Sequence, residues 1–229
     1  MKGGRILGSG NAGCILYPQI PCKNGIVNHN VVTKLFKFNN EQAVNEMNPT
    51  LVEALKDIDP HEERFVYMQN ESCDIVPLNM LSLETQRDIV NCLDVPESFI
   101  GKNSTATLTF FNQTKVVPMD ELSKRDEAYI KESVNMLHRN RIVHLDLNPG
   151  NIMRGTDGLP RIIDFGVARV VQRGDDNFEM YKKADYNFLE ILRHDFMNMR
   201  QKEERANKRR LVEDEIVVPE SKRKRLIFD

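Results

Sequence analysis

The sequence predicts an α+β fold organised in two lobes, because segments with strand character come mostly first and helical segments follow. Short apolar runs in residues 5–38 and 64–68 are typical of strands. Apolar residues three or four positions apart predict helices over residues 41–58, 126–141 and 185–210. A chain of 229 residues can bury one core, or two small lobes that share an interface.

The first strands enclose a glycine-rich turn, since "RIL" precedes "GSGNAG", and "CILY" and "NVVTKLFKF" follow it. Pro49 lies inside the first helical pattern and is expected to divide that helix or to begin a second one. "SLETQRDIVNCL" predicts a short inserted helix, and "TATLTFF" predicts a strand after it. "NIMRGTDGLPRIID" predicts a hairpin that turns at Asp157 and Gly158.

Composition and charge exclude several classes of protein. Hydrophobic residues make up 40% of the chain and charged residues 29%, and the formal net charge is -2, so no overall basic surplus indicates a nucleic-acid partner. No apolar run reaches the roughly 18 residues of a membrane span, and the first residues do not resemble a signal peptide. The cysteines form no CxxC pair, which predicts neither a zinc site nor a disulfide framework and favours a reducing, intracellular setting. These cysteines are Cys14, Cys22, Cys73 and Cys92.

A candidate phosphate-binding turn is formed by Gly8, Gly10, Gly13 and Ile15, in a G-x-G-x-x-G-x-I pattern. Glycine adopts positive φ readily and has no Cβ, so the backbone of such a turn can approach a polyphosphate closely. A dinucleotide-binding turn would open a helix, whereas a strand is expected after this turn. The flanking pattern therefore favours a hairpin that covers phosphates.

Lys34 lies in "VVTKLF", between residues that are expected to be buried. Lysine is rarely buried without a partner, so a carboxylate is expected to meet it. Glu46 on the following helix is the preferred partner, with Glu53 second and Glu41 third. The alternative is a lysine on an edge strand that points to water.

Two further motifs carry polar residues suited to phosphoryl transfer, "VHLDLNPGN" at residues 143–151 and "DFG" at residues 164–166. Asp146 is suited to orient an attacking hydroxyl and to accept its proton. Asn151 and Asp164 are suited to hold metal ions that bridge the phosphates. Phosphoryl transfer needs this kind of positioning more than covalent chemistry from the protein.

These four motifs, in this order over about residues 5–170, resemble the signature set of protein kinases. The resemblance implies a two-lobed protein-kinase-like fold with a reduced C-terminal lobe, and ATP and Mg²⁺ as cofactors. It also implies a role for each matching residue. The expected roles are covering of the nucleotide by Gly8, Gly10, Gly13 and Ile15, contact with the α- and β-phosphates by Lys34 paired with Glu46, general-base catalysis by Asp146, and Mg²⁺ binding by Asn151 and Asp164.

The match departs from the family pattern at three places. Leu145 stands where many kinases carry an arginine that pairs with a phosphorylated activation loop, so the resemblance implies no switching of that kind. Asn148 replaces a lysine that lies near the transferred phosphate in many serine/threonine kinases. No A-P-E motif follows the DFG, and Asp185 resembles the buried aspartate of the helix that supports the catalytic loop. The platform that docks peptide substrates is therefore expected to be missing.

The leading hypothesis is a serine/threonine protein kinase that transfers the ATP γ-phosphate to a protein hydroxyl. The compact chain resembles the reduced kinases of large DNA viruses and the small kinase of the KEOPS complex, which implies a virus-encoded enzyme with a partner that activates it or presents its substrate. "NPGN" also resembles the loop of aminoglycoside and choline kinases, so a small-molecule kinase is an alternative. A catalytically idle, kinase-like binding module is a third hypothesis.

The sequence predicts an N-terminal lobe over residues 1–115, a minimal C-terminal lobe over residues 116–200 and a basic, charged tail over residues 201–229. "KRR" and "SKRKRLIFD" in the tail form either a solvated charged end or a nuclear localisation signal that binds a nuclear import receptor. The expected location is the cytoplasm, the nucleus or both, in a host cell if the protein is viral. A nucleic-acid partner is disfavoured, because no aromatic residues lie among the basic ones.

Overall fold

A computed structural model describes residues 4–10, 12–24, 27–37, 41–68, 76–101 and 110–216 of the chain. Strands dominate the first part of the described chain and long helices the last part, as the α+β expectation requires. The strands are β1 Arg5–Ser9, β2 Gly13–Tyr17, β3 Val31–Phe36, β4 Phe110–Thr114, β5 Val117–Pro118, β6 Ile142–Val143, β7 Ile152–Arg154, β8 Pro160–Ile162 and β9 Arg169–Val170. The α-helices are α1 Glu41–Glu46, α2 Pro49–Ile58, α3 Leu83–Leu93, α4 Ser98–Gly101, α5 Lys124–Arg139 and α6 Phe178–Ile216.

The first four strands form one antiparallel sheet in the order β1-β2-β3-β4. Lys34 on β3 lies opposite Ile15 of β2 and opposite Phe111 of β4. Because β3 has a neighbour on each side and Lys34 is buried, the alternative of an edge-strand lysine that points to water is wrong. The predicted strand "TATLTFF" ends in β4, and its first residues, 105–109, lie outside the described residues.

The segment "RFVYM" does not form a strand of this sheet, so that expectation is wrong. Phe65 makes an isolated bridge to Ile162 of β8 instead. The carboxylate of Asp59 accepts hydrogen bonds from the backbone N–H groups of Glu63, Arg64 and Phe65 at 2.9, 2.7 and 2.8 Å. These are donors that a sheet ladder would otherwise use, so the side chain of Asp59 fixes this part of the backbone.

The predicted inserted helix is α3, which covers one face of the sheet. Ser82 caps it, because the Ser82 hydroxyl accepts a hydrogen bond from the backbone N–H of Thr85. The apolar side of α3 packs into a buried cluster with residues from β2 and β3. This cluster is made of Cys14, Leu16, Ile20, Leu35, Val76, Leu78, Leu81, Ile89, Leu93 and Ile100.

A disulfide between Cys14 and Cys92 links β2 to α3, with the two Cα atoms 6.2 Å apart. The expectation of no disulfide is therefore wrong. The bonded cysteines are 78 positions apart in the sequence, and only the packing of α3 on the sheet brings them together. A rule based on local cysteine spacing does not detect such a pair.

The helical pattern over residues 41–58 divides at the proline, as expected. The first piece, α1, ends at Glu46, and Asn48 then begins α2 by accepting a hydrogen bond from the backbone N–H of Thr50. Pro49 fits the first turn of α2, because that position needs no backbone donor. The apolar side of α2 is buried in the main core rather than against the sheet.

The main core joins α2 to the helices and short strands of the C-terminal half. Ser123 and Asp126 form a capping box at the start of α5, and β7 and β8 form the predicted hairpin, with Gly158 at φ +80°. The buried members of this core include Leu51, Val52, Leu55, Phe65, Ile130, Val134, Leu137, Ile152, Ile162, Phe165, Leu192 and Phe196.

The last helix, α6, starts at Phe178 and continues to Ile216, so it is longer than the predicted helix over residues 185–210. Residues 201–216 of the predicted tail are helical, and residues 217–229 lie outside the described residues. Within the described ranges, no helix combines the length and the apolar character that a membrane crossing requires.

Candidate active site

The three glycines of the first turn have different surroundings. A Cβ added at Gly8 or Gly10 would meet no atom within 4 Å, whereas a Cβ at Gly13 would lie 1.8 Å from the carbonyl oxygen of Leu35. None of the three has positive φ, so the expected left-handed backbone is not the reason for these glycines. Gly8 and Gly10 leave open space beside the turn, and Gly13 allows β2 to approach β3.

Lys34 lies next to two carboxyl groups. Its Nζ is 2.5 Å from Oε1 of Glu46 and 3.3 Å from Oδ1 of Asp164. Glu41 and Glu53, the other two candidate partners, are exposed. The structure thus brings together three of the predicted site residues, which come from β3, α1 and the turn after β8.

Asp146 is held by two asparagine amides of the loop before β7. The side-chain amide of Asn151 donates to Oδ2 and to the backbone carbonyl of Asp146 at 2.9 and 2.8 Å. The side-chain amide of Asn148 donates to Oδ1 at 3.1 Å. Asn148 also accepts a hydrogen bond from the backbone N–H of Gly150 at 2.8 Å. Both carboxylate oxygens of Asp146 are therefore fixed in direction.

His144 has both ring nitrogens engaged. Nε2 lies 3.0 Å from the carbonyl oxygen of Ile163, and Nδ1 accepts a hydrogen bond from the backbone N–H of Asp146 at 3.3 Å. These partners fix a neutral ring with its proton on Nε2. Burial lowers the pKa of His144, although its hydrogen bond to Ile163 and nearby aspartates oppose that change. His144 thus packs in the core and orients the loop.

Asp185 of α6 holds the backbone of the loop that carries Asp146. Its carboxylate accepts hydrogen bonds from the backbone N–H groups of His144 and Leu145 at 3.0 and 2.7 Å, and lies 2.9 Å from Nε2 of His138. Asp185 is fully buried, and Leu145 has φ +66°, a left-handed conformation that is costly for leucine. The interactions with Asp185 stabilise that backbone and hold the loop on α6.

Two polar side chains near the DFG turn carry no separate signal in the sequence. Asn45, next to Glu46 on α1, donates from its amide to the carbonyl oxygens of Phe165 and Ala168. Arg141, after α5, donates to the carbonyl oxygen of Val171. Their partners are backbone atoms far along the chain, so no residue pattern indicates these contacts.

A family model described as "Protein kinase domain" matches residues 3–202. The chain belongs to the protein kinase family.

Similar proteins include a probable serine/threonine-protein kinase MRK1 homolog of Encephalitozoon cuniculi. It is 35% identical over 108 residues, which are 45% of this chain and 33% of that protein. Cyclin-dependent kinase F-1 of Arabidopsis thaliana is 40% identical over 67 residues, 27% of this chain and 14% of that protein. Serine/threonine-protein kinase mos of Xenopus laevis is 34% identical over 56 residues, 24% of this chain and 16% of that protein.

These matches cover a third or less of each relative. The family assignment therefore depends on the domain match, which spans most of the chain. Membership of the kinase family implies use of ATP, typically with Mg²⁺.

The two carboxyl groups beside Lys34 have shifted pKa values. Burial raises the pKa of Glu46 well above its usual value, and its hydrogen bond with Asp164 adds to this effect, while Lys34 opposes it. Burial also tends to raise the pKa of Asp164, but hydrogen bonds with Glu46 and Lys34 and the charge of Lys34 lower it to about 2. Asp164 is therefore ionised at neutral pH, as an oxygen ligand of a cation would need to be.

Asn151 uses its amide nitrogen on Asp146, so its carbonyl oxygen is the atom suited to a cation. The described residues contain no cluster of three or more His, Cys, Asp or Glu side chains that could hold a metal ion alone. Proteins usually bind Mg²⁺ through one or two carboxylates together with substrate phosphates, and Asp164 is a carboxylate of that kind. The open space beside Gly8 and Gly10 fits those phosphates.

Proposed function

We propose that this kinase is an ATP- and Mg²⁺-dependent serine/threonine protein kinase that transfers the γ-phosphate to a protein hydroxyl. The observation that carries the proposal is the arrangement of polar groups around Lys34 and Asp146. Lys34 lies within 3.3 Å of Asp164 and 2.5 Å of Glu46, and Asp146 is held by two amides. The names of several relatives contain "serine/threonine-protein kinase", which supports the acceptor type.

Each side chain has a distinct task in this proposal. Lys34 binds the α- and β-phosphates, and the turn at Gly8 and Gly10 covers them and excludes water. Asp146 orients the acceptor hydroxyl and accepts its proton. Asn151 and Asp164 would hold Mg²⁺, which neutralises charge on the phosphates when bound. The tasks require positioned groups, and the hydrogen bonds around Asp146 supply that positioning.

A small-molecule kinase is the second candidate, and the short chain after the DFG turn favours it. α6 begins at Phe178, so residues 167–177 alone connect the DFG turn to that helix. This leaves little room for a segment that docks peptide substrates.

Under the protein-kinase proposal, a partner protein presents the substrate. Partner dependence and a viral origin stay proposals from the sequence resemblance. A nuclear import receptor stays a proposal from the basic clusters of the tail. An idle binding module is the least favoured, because Lys34, Asp146, Asn151 and Asp164 are all present.

The test is transfer of labelled γ-phosphate from Mg·ATP by the purified full chain, to generic protein substrates and to a panel of small-molecule alcohols. Asp146→Asn keeps the shape but removes the proton acceptor, so transfer should fall by about 10²- to 10⁴-fold. Asp57→Asn, at an exposed position on α2, is the matched control and should leave transfer unchanged. Phosphoserine or phosphothreonine in the hydrolysed product identifies the acceptor.

Label on an alcohol and not on protein would replace the first candidate with the second. Transfer that Asp146→Asn leaves unchanged would contradict the proposed site. Binding of Mg·ATP without any transfer, with every substrate supplied, would favour the idle binding module.

A further inference from the structure

The activation segment, defined here as residues 164–177, has no residue that a kinase could phosphorylate. It reads DFGVARVVQRGDDN, without serine, threonine or tyrosine. Leu145, which precedes Asp146, also carries no charge with which to bind such a phosphate. Phosphorylation within this segment therefore cannot order it, and other contacts must fix its position.

The N-terminal half of the segment is held by α1. Both amide hydrogens of Asn45 are used, since Nδ2 donates to the carbonyl oxygens of Phe165 and Ala168 at 3.0 and 2.9 Å. The two elements also touch at Gly166, where an added Cβ would lie 2.8 Å from the Cβ of Gln42. The DFG turn and α1 are thus in direct contact, with Asn45 as the polar link.

The C-terminal half of the segment is held separately. Arg141 donates from Nε to the carbonyl oxygen of Val171 at 2.9 Å and from Nη2 to that of Gln172. Its guanidinium lies 4.1 Å from the centre of the Phe178 ring, and β9 pairs with β6. Loss of the Asn45 contacts should therefore loosen the first half of the segment and leave the second half in place.

The position of α1 matters because it carries Glu46, the partner of Lys34. With six residues, α1 is too short to be a stable helix by itself, and the break at Pro49 separates it from the well-packed α2. Ala43 of α1 packs against Phe36, and Glu46 pairs with Lys34. The two hydrogen bonds of Asn45 add the polar contact that holds α1 to the DFG turn.

We propose that Asn45 is a positioning residue of this site, which ties α1 to the DFG turn and so keeps Glu46 at Lys34 without phosphorylation of the activation segment. This inference rests on the proposed phosphotransfer, and it concerns the contacts that keep Glu46 next to Lys34 in the same site. Asn45 acts through Glu46 and Lys34 and does not touch the substrate.

The test compares Asn45→Ala and Asn45→Asp with wild type, in the full chain. Both should lower kcat by about 10- to 100-fold, the range expected when two ordinary hydrogen bonds are lost, with a smaller change in KM for ATP. Asn45→Asp keeps the shape of the side chain but places a carboxylate against two carbonyl oxygens, so its effect should be at least as large. Val44→Ala, at a position 74% exposed on the same helix, is the matched control.

A double-mutant cycle separates positioning from a general structural role. If Asn45 acts through Glu46, Asn45→Ala should add little further loss of kcat in a Glu46→Gln background. Wild-type turnover in Asn45→Ala, or losses that multiply fully with Glu46→Gln, would overturn the inference.

Amide hydrogen exchange without nucleotide gives a readout that needs no activity. Asn45→Ala should speed exchange in residues 41–47 and 165–168, and not in residues 169–172. If wild type transfers no phosphate, the proposed function fails, and faster exchange in the variant would still support the tether. Unchanged exchange in both segments would overturn the tether whatever the activity.

Discussion

At the scale of single residues, Gly10 and Gly13 lie in one turn, yet a methyl group should act differently at each. At Gly13 it would meet the Leu35 carbonyl at 1.8 Å, and at Gly10 it would meet no protein atom within 4 Å. Gly13→Ala should therefore lower the free energy of unfolding by about 3 kcal/mol, the cost of strong overpacking. Gly10→Ala should change that free energy by less than about 0.5 kcal/mol and raise KM for ATP.

Urea denaturation of both variants, together with ATP titration of Gly10→Ala, checks this pair. Equal stability of Gly13→Ala and wild type would mean that β2 and β3 can separate locally. An unchanged KM for ATP in Gly10→Ala would place the phosphates away from this turn.

At the scale of elements, the disulfide from β2 to α3 connects the strand after the glycine-rich turn to an inserted helix. The double variant Cys14→Ala/Cys92→Ala removes this link and leaves Cys22, which is also disulfide-bonded, unchanged. The free energy of unfolding should fall by roughly 2–5 kcal/mol, because the unfolded chain regains the freedom of a long loop. Denaturant unfolding of the oxidised proteins measures this difference.

Part of that loss could come from the smaller side chain at the buried Cys14 position. Cys92→Ala alone breaks the bond and leaves the buried Cys14 side chain in place, so it should lose nearly as much stability as the double variant. A loss in the double variant without any loss in Cys92→Ala would assign the effect to packing at Cys14.

The division of one helical pattern into α1 and α2 shows what local sequence can predict about elements. The break follows from Pro49, whose effect on backbone hydrogen bonding is local. The hairpin of β7 and β8 follows in the same way from Asp157 and Gly158. The strand predicted at "RFVYM" was wrong, because the decisive contact comes from Asp59, a side chain before the segment.

At the scale of the whole molecule, contacts between distant residues mark the limit of what the sequence predicts. The four motifs are recognised by residue type and order, so the family could be predicted from them, and candidate site residues could be chosen. The hydrogen bond from Asn45 to Phe165 and the disulfide between Cys14 and Cys92 depend on how whole elements pack together. No rule based on local residue spacing specifies either contact.

The molecule has two main apolar clusters, and they should respond differently to loss of a side chain. Leu55 of α2 lies in the cluster shared with α5 and α6, whereas Ile89 of α3 lies in the cluster against the sheet. Both are at least 99% buried, so Leu55→Ala and Ile89→Ala should each cost about 2–5 kcal/mol of stability. The difference should lie in which segments open.

Hydrogen exchange by mass spectrometry distinguishes the two variants. Leu55→Ala should speed exchange in α2, α5 and the loop that carries Asp146, and should lower kcat because that loop rests on the same core. Ile89→Ala should speed exchange in α3 and in β1 and β2, and should mainly raise KM for ATP through the glycine-rich turn. If Ile89→Ala opened α5 as much as α3, the two clusters would form one cooperative unit, and nucleotide binding and transfer could not be weakened separately.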